Sequence, residues 1–244
     1  MIVYKPLKNI KAISFDLDDT LYDNMPYIHA AEAALRDYIA HKYPMAKHLT
    51  QEDWLGYRRR ALKDNPSLSD DIGRLRITTL AHGFKQAGMS ADSIEGAVRK
   101  CFDFFYYKRS DFVVPNKERD ILKQLSLRVP LAAITNGNVD CEAIGIAEFF
   151  SSVVHASATY PMKPARSMFD YTAKTLNISP EYILHVGDDL TKDVAGATDA
   201  GYQSAWLAVN RPMLLNTEPY VQVLPHVHLS DLSELLDLLR ARDK

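Results

Sequence analysis

Apolar positions along this chain change their spacing twice. A short run with Ile13 and Phe15 stops at Asp16, Asp18, Asp19 and Thr20. Such a run reads as a buried strand that delivers carboxylates at its C-terminal end. From Asn24 to about Tyr107 the spacing is helical, with no convincing strand. Tyr27, Ile28, Ala31, Leu35, Tyr38 and Ile39 fall on one face of a first helix. Asn24 caps it, Pro26 sits in its first turn and Pro44 stops it. A second helix is expected over 51–63, ended by Asn65-Pro66. A third starts at a Ser69 or Asp70 cap and runs to Gln86 before Gly88. Ser90 caps a fourth, followed by the cluster Phe102, Phe104, Phe105, Tyr106 and Tyr107.

Beyond a return linker at 112–115, helix and strand alternate. Helices are expected over 117–126, 138–146, 167–176 and 191–200, with a last one capped by Ser230. Strands are expected over 129–135, 152–156, 182–186, 203–208 and 226–229. Alternation of this kind implies a parallel sheet with helices on both faces. The expected fold class is therefore α/β, a Rossmann-like parallel sheet. Its core is discontinuous, 1–22 plus 112–244, and a helical insert over 23–111 follows the first strand.

Composition narrows the function classes. A length of 244 residues suits one large domain, or one domain plus an insert. The formal net charge is −2, without the basic excess of a general nucleic-acid binder. No apolar run reaches the length of a membrane span, and the first eleven residues lack an apolar signal core. Cys101 and Cys141 stand in no metal-ligand spacing, which suits free thiols in a reducing cytoplasm. A cytoplasmic protein with no nucleic-acid or membrane partner is expected.

Four motifs follow predicted strands, and each carries two readings. Asp16-Leu-Asp18-Asp19-Thr20 is either a solvated acidic turn or a reactive pair of carboxylates. A carboxylate can attack phosphorus and carry the phosphoryl group. A divalent cation would then offset the repulsion between anions, and a nearby second carboxyl can give and take protons. Thr135-Asn136-Gly137-Asn138 is a tight loop or a set of donors for phosphate oxygens. Lys163, before Pro164, is a solvated charge or the partner of a carboxylate and a phosphate. Gly187-Asp188-Asp189 and Asp193 suit a helix N-terminus or a metal site.

Taken in order, these motifs resemble the haloacid dehalogenase-like phosphohydrolases. The resemblance implies Asp16 as nucleophile and Asp18 as acid/base, with Thr20 bracing their loop. It implies that Thr135, Asn136 and Lys163 hold the phosphate and that Lys163 also pairs with Asp16. Mg²⁺ would be held by Asp16, Asp188 and the Asp18 carbonyl. Asp189 and Asp193 would hold metal waters or orient Lys163. The insert would be a C1-type helical cap. Phe-Asp-Leu-Asp-Asp-Thr-Leu-Tyr-Asp-Asn, Ile-Thr-Asn-Gly-Asn and Leu-His-Val-Gly-Asp-Asp-Leu-Thr are most similar to the bacterial YigB-type phosphatases. That likeness implies flavin mononucleotide or 5-amino-6-(5-phospho-D-ribitylamino)uracil as substrate. The partner would be a small phosphorylated metabolite; oligomeric state stays open. Rival readings are a broad-range sugar or nucleotide phosphatase, a phosphomutase, a phosphate-binding regulatory module, and a dehalogenase, which needs neither metal nor second acid. Tyr22, Tyr27 and the 102–107 aromatics are candidate walls for a flavin ring, or plain core packing. Arg58-Arg59-Arg60 reads as a solvated face or a phosphate-steering patch. His155 and His185 read as satisfied core residues.

Overall fold

The computed structural model describes residues 1–210 and 223–240. The expected core segment also takes in 211–222 and 241–244, which lie outside the described residues. Strand β2, Ala12–Phe15, is wholly buried and sits inside the sheet. It pairs in parallel with β3, Leu131–Thr135, on one side and β5, Ile183–Gly187, on the other. Strand β4, Ser152–His155, extends the sheet beyond β3. Strands β6, Gln203–Trp206, and β7, Val227–His228, extend it beyond β5. The first strand in the chain, β1, Ile2–Val3, closes the far edge antiparallel to β7. The order is β1-β7-β6-β5-β2-β3-β4.

Both faces of this sheet are covered, so its strands read as continuous apolar runs rather than alternating ones. Ile13 and Phe15 pack on one side with Leu131, Leu184 and Val186. Ala12 packs on the other with Ile134, Ile183 and Phe169. Each large side chain so buried stabilises the fold by about 1.5–3 kcal/mol. The covering helices include α5, Asn116–Ser126, α6, Ser167–Leu176, and α8, Glu234–Arg240.

Between β2 and α5 lie α1, Met25–Lys42, α2, Gln51–Asp64, α3, Ile72–Gln86, and α4, Ala91–Arg109. They pack on one another around Ala31, Leu35, Leu80, Phe84, Val98 and Cys101. Thr50 and Asp53 form a capping box that starts α2. Among the described residues no helix is long and apolar enough to cross a membrane.

Local expectations fail at five places. The third helix is capped by Asp71, which accepts from the Arg74 N–H at 2.9 Å, not by Ser69 or Asp70. Pro66 and the Asn65 side chain spend residues 66–70 on a separate 3-10 turn. Asn24 and Ser90 precede their helices without a side-chain cap bond. Residues 138–146 form turns, not a helix: Asp140 Oδ1 takes the N–H groups of Glu142 and Ala143, and Gly145 is left-handed at φ +75°. A short side-chain acceptor outcompetes the helical carbonyl there. In the 191–200 stretch, Leu190–Ala195 is π-helical and only α7, Gly196–Asp199, is an α-helix.

Candidate active site

Ligands of open α/β sheets bind where the strands end and the order reverses. Strand β2 is flanked by β3 and β5, and all three run in parallel. Their C-terminal ends deliver Asp16, Thr135 and Asp188 to one crevice. A depression of about 230 Å³ there is lined by every residue chosen from the sequence except Thr20.

Lys163 ties the strand ends together. Its ammonium donates to Asp16 Oδ1 at 2.7 Å, to the Ile134 carbonyl at 2.6 Å, and pairs with Asp193 Oδ1 at 2.7 Å. Burial pushes that ammonium towards neutrality, but Asp16 and then Asp193 more than offset it, so its pKa is raised. The Asn136 side chain holds the Lys163 backbone at both ends: Oδ1 accepts from its N–H at 2.8 Å, and Nδ2 donates to its carbonyl at 3.1 Å. Asn136 therefore has its main-chain N–H, not its side chain, to offer a phosphate.

Asp193 is held on both oxygens. Oδ2 accepts from the Asp189 N–H at 3.0 Å, and Oδ1 also faces His185 Nε2 at 3.3 Å. Burial works to raise the Asp193 carboxyl, yet Lys163 and His185 bring it below the usual range. His185 is fully buried, contacts Ser14 Oγ through Nδ1 at 2.9 Å, and is shifted down by burial. It is a satisfied core residue that also reaches the site. Gly187 permits this packing, because a Cβ there would sit 2.3 Å from Asp193 Cγ.

Asp189 turns out to be the cap of the π-helical turn. Its Oδ1 accepts from the N–H groups of Thr191 and Lys192, both at 3.0 Å, and Oδ2 pairs with Lys192 Nζ at 2.9 Å. Thr20 is buried, but its hydroxyl has no partner among the described residues. The loop is held instead by the Leu21 N–H on the Leu17 carbonyl and by Asp19. Asp19 is left-handed at φ +63°, and its Oδ1 accepts from the Asn24 N–H at 2.9 Å. Asp tolerates that conformation better than most residues.

The donor set suits a divalent cation. Carboxylate oxygens of Asp16, Asp188 and Asp193 lie within 4.8 Å of one another. Asp193 is held on both oxygens, by Lys163 and by the Asp189 N–H, whereas Lys163 meets Asp16 through Oδ1, so Asp16 and Asp188 are the pair a cation would use. Two of the three, Asp16 and Asp193, share the Lys163 ammonium. Burial, followed by Asp193 and Asp188, holds the Asp16 carboxyl above its usual range despite Lys163. A hard dication with oxygen ligands fits that excess negative charge.

Asp18 lines the same crevice. Its Oδ1 accepts from Tyr22 Oη at 2.6 Å and from Arg109 Nη2 at 2.5 Å. Gly137 lies against its other oxygen, since a Cβ there would be 2.6 Å from Oδ2. Sequence reasoning missed Arg109 altogether. A basic residue in a helix's last turn has an ordinary explanation in the helix dipole. No local signal pointed across ninety-one positions to Asp18.

A second cavity of about 500 Å³ opens beside Asp18, Gly137 and Asn138 and runs among α1–α4. Trp54 and Phe105 line it, and Arg58 is among the residues at its wall. The expected flavin walls are otherwise absent from it. Tyr22 and Tyr27 are packed with Phe112, Tyr27 stacking on it at 3.8 Å between centroids. Phe104 stacks on Tyr38, Phe102 on Tyr106, and Tyr107 is exposed.

Comparison with known proteins agrees with this geometry. A family model described as haloacid dehalogenase-like hydrolase matches residues 10–201. The 5-amino-6-(5-phospho-D-ribitylamino)uracil phosphatase YigB of Escherichia coli is 36% identical over 239 residues, covering 98% of this chain and 100% of that protein. A phosphoglycolate phosphatase of Vibrio cholerae is 26% identical, covering 96% and 98%. The crystal structure of a 2-haloacid dehalogenase from Pseudomonas syringae superposes with a TM-score of 0.87 at 31% identity, covering 95% and 99%.

Proposed function

The chain belongs to the haloacid dehalogenase-like hydrolases, and from that premise we infer a phosphatase that works through a phosphoryl-aspartate on Asp16. One observation carries the reading: Asp16 and Asp18 share a crevice with Asp188, Asp193 and Lys163, and Lys163 pairs with both Asp16 and Asp193.

The chemistry follows from the residues present. Asp16 attacks phosphorus as the ester bond to the leaving oxygen breaks. Lys163 lowers the repulsion between the nucleophile and the incoming anion. The Thr135 hydroxyl, which accepts from the Gly137 N–H at 3.0 Å, keeps its own proton for a phosphoryl oxygen, and the Asn136 main-chain N–H offers a second donor. Asp18 gives its proton to the leaving oxygen, then as carboxylate takes one from water. That water attacks phosphorus, the bond to Asp16 breaks, and inorganic phosphate leaves with Asp16 restored. Mg²⁺, held by Asp16, Asp188 and the Asp18 carbonyl, would supply the charge that lets a phosphate dianion approach a carboxylate.

Residues 23–111 act as a cap over the core formed by 1–22 and 112–244. The core meets only phosphate and metal, so the cap chooses the leaving group and excludes water. The likeness to YigB supports 5-amino-6-(5-phospho-D-ribitylamino)uracil or flavin mononucleotide as substrate. A cytoplasmic setting is supported by two buried free thiols, Cys101 and Cys141. The likeness to a dehalogenase favours a second reading, halide displacement by Asp16. Asp18 and Asp188 have no task in it, which is why hydrolysis of phosphate esters is preferred. The deciding experiment measures phosphate release over a panel of phosphorylated metabolites beside halide release from 2-haloacids. Halide release without phosphate release would overturn the assignment.

A further inference from the structure

The two oxygens of Asp18 are used unequally. Oδ1 accepts from both Tyr22 Oη, at 2.6 Å, and Arg109 Nη2, at 2.5 Å. Oδ2 accepts no hydrogen bond among the described residues. The donors are enclosed while their acceptor is not: 22% of the Asp18 side chain is exposed, against 2% for Arg109. Oδ2 lies beside Gly137, where a Cβ would stand 2.6 Å from it and 3.3 Å from Thr135 Oγ1. The free oxygen of Asp18 and the hydroxyl assigned to a phosphoryl oxygen thus border the same small space.

The donors decide which oxygen can act. A protonated carboxyl has one O–H, and its other oxygen keeps two lone pairs. Tyr22 and Arg109 occupy both lone pairs of Oδ1, so the proton of the acid form belongs on Oδ2. Arg109 keeps its own protons, since a guanidinium does not give them up in proteins, and so it orients the acid without replacing it. Packing fixes both donors. The Tyr22 ring meets Phe112 edge-on at 4.9 Å between centroids, and its backbone forms a bridge with Asp18. Arg109 is the last residue of α4 and is buried.

We propose that Tyr22 and Arg109 are positioning residues that fix Asp18 by Oδ1, so that Oδ2 is the oxygen that exchanges protons with the substrate. The assignment rests on the phosphatase reading and adds two residues to it. As the bond from phosphorus to the leaving oxygen breaks, the proton passes from Asp18 Oδ2 to that oxygen. In the second step Oδ2 takes a proton from the attacking water, which restores the acid. Tyr22 and Arg109 keep their protons throughout. Tyr22 follows strand β2 and Arg109 ends the helical segment, so the acid is held from both sides of the junction.

The test is a double-mutant cycle read in single turnovers. Tyr22→Phe removes one donor and leaves the ring to pack on Phe112. It should slow phosphoryl transfer from an alkyl ester, glycerol 3-phosphate, by about 10- to 100-fold, the worth of a hydrogen bond to a charged group. With p-nitrophenyl phosphate, whose leaving oxygen needs little help from a proton, the loss should be smaller. Arg109→Met should follow the same pattern, and Arg109→Lys, which restores one donor, should recover part of the rate. In an Asp18→Asn background Tyr22→Phe should cost nothing further, because no acid remains to be positioned. Should Arg109→Met fail to fold, Tyr22→Phe and Arg109→Lys still decide. A wild-type rate in Tyr22→Phe overturns the proposal. So does an equal loss for both leaving groups, or a loss that recurs in full on top of Asp18→Asn; either would make the contact purely structural while the phosphatase reading stands. Full turnover in Asp18→Asn alone removes the acid role and this assignment with it. A wild-type enzyme that releases no phosphate from either ester refutes the phosphatase reading itself.

Discussion

Lys163 Nζ lies 2.7 Å from Asp193 Oδ1 and equally 2.7 Å from Asp16 Oδ1. One ammonium thus bridges the proposed nucleophile and a residue that braces it. Asp193 is pinned in turn by His185 and by the Asp189 N–H. Asp193→Asn should therefore act on stability as well as rate. Breaking a buried ion pair costs about 3–5 kcal/mol, and Lys163 keeps Asp16, so a loss near the lower bound is expected. Denaturant midpoints measure it; an unchanged midpoint would show that Asp193 contributes nothing to holding the site together.

Asp16→Asn should leave the protein folded and reduce phosphate release by about 10⁴-fold or more, as loss of a nucleophile does in other hydrolases. Uncatalysed ester hydrolysis is too slow to mask the loss. Near-wild-type turnover in the purified variant would rule out the phosphoryl-aspartate.

Asp18→Asn separates proton transfer from attack. A loss of roughly 10²–10⁴-fold is expected. Single-turnover kinetics should show a smaller loss for aryl phosphates, whose leaving oxygens need less help from a proton. An equal loss for every leaving group would count against the acid role.

Chelation addresses the excess negative charge at Asp16, Asp188 and Asp193. EDTA should abolish phosphate release and Mg²⁺ should restore it. Full activity in a rigorously metal-free preparation would refute the metal site and reopen halide displacement.

His185 predicts a pH effect on stability. Burial holds it below its ordinary 6.5 in the fold. The unfolded chain therefore binds a proton on that side chain before the folded one does. Stability from this group is fully present above 6.5 and is lost as pH falls below that value. His226 and His228, also lowered by burial, act in the same direction. The raised Asp16 carboxyl acts in the opposite one. The difference between wild type and His185→Gln isolates the histidine: melting temperature should fall less in the variant between about pH 7 and pH 5. Parallel profiles would show that His185 titrates as it does in the unfolded chain.

The family and the gathering of the candidate residues were legible because they rest on local pattern. An apolar run ending in Asp16, Asp18 and Asp19 states both the strand and the edge at which its carboxylates emerge. The same holds for Thr135 after β3 and Asp188 after β5. Order along the chain then becomes proximity, since parallel neighbours end at the same side of the sheet. The β1 edge, the turns over 138–146 and the π-helical turn after Asp189 were not legible. Each depends on a competition between side chain and backbone, or on pairing with a strand more than two hundred residues away.

By itself the sequence determined the α/β alternation, the helical insertion after the strand that ends at Asp16, and most of the side chains that reach the crevice: period and spacing act within a few residues, where the geometry of strand and helix dictates direction. Only the tertiary structure decided what those side chains do for one another. It committed the Asn136 side chain to the Lys163 backbone. It buried Tyr22 and Tyr27 against Phe112 instead of in the cavity. It brought Arg109 from the end of α4 onto Asp18. A hydrogen bond is directional over a few ångströms, and its partner is chosen by the packing of whole elements. That choice has no counterpart in the spacing of residues along the chain.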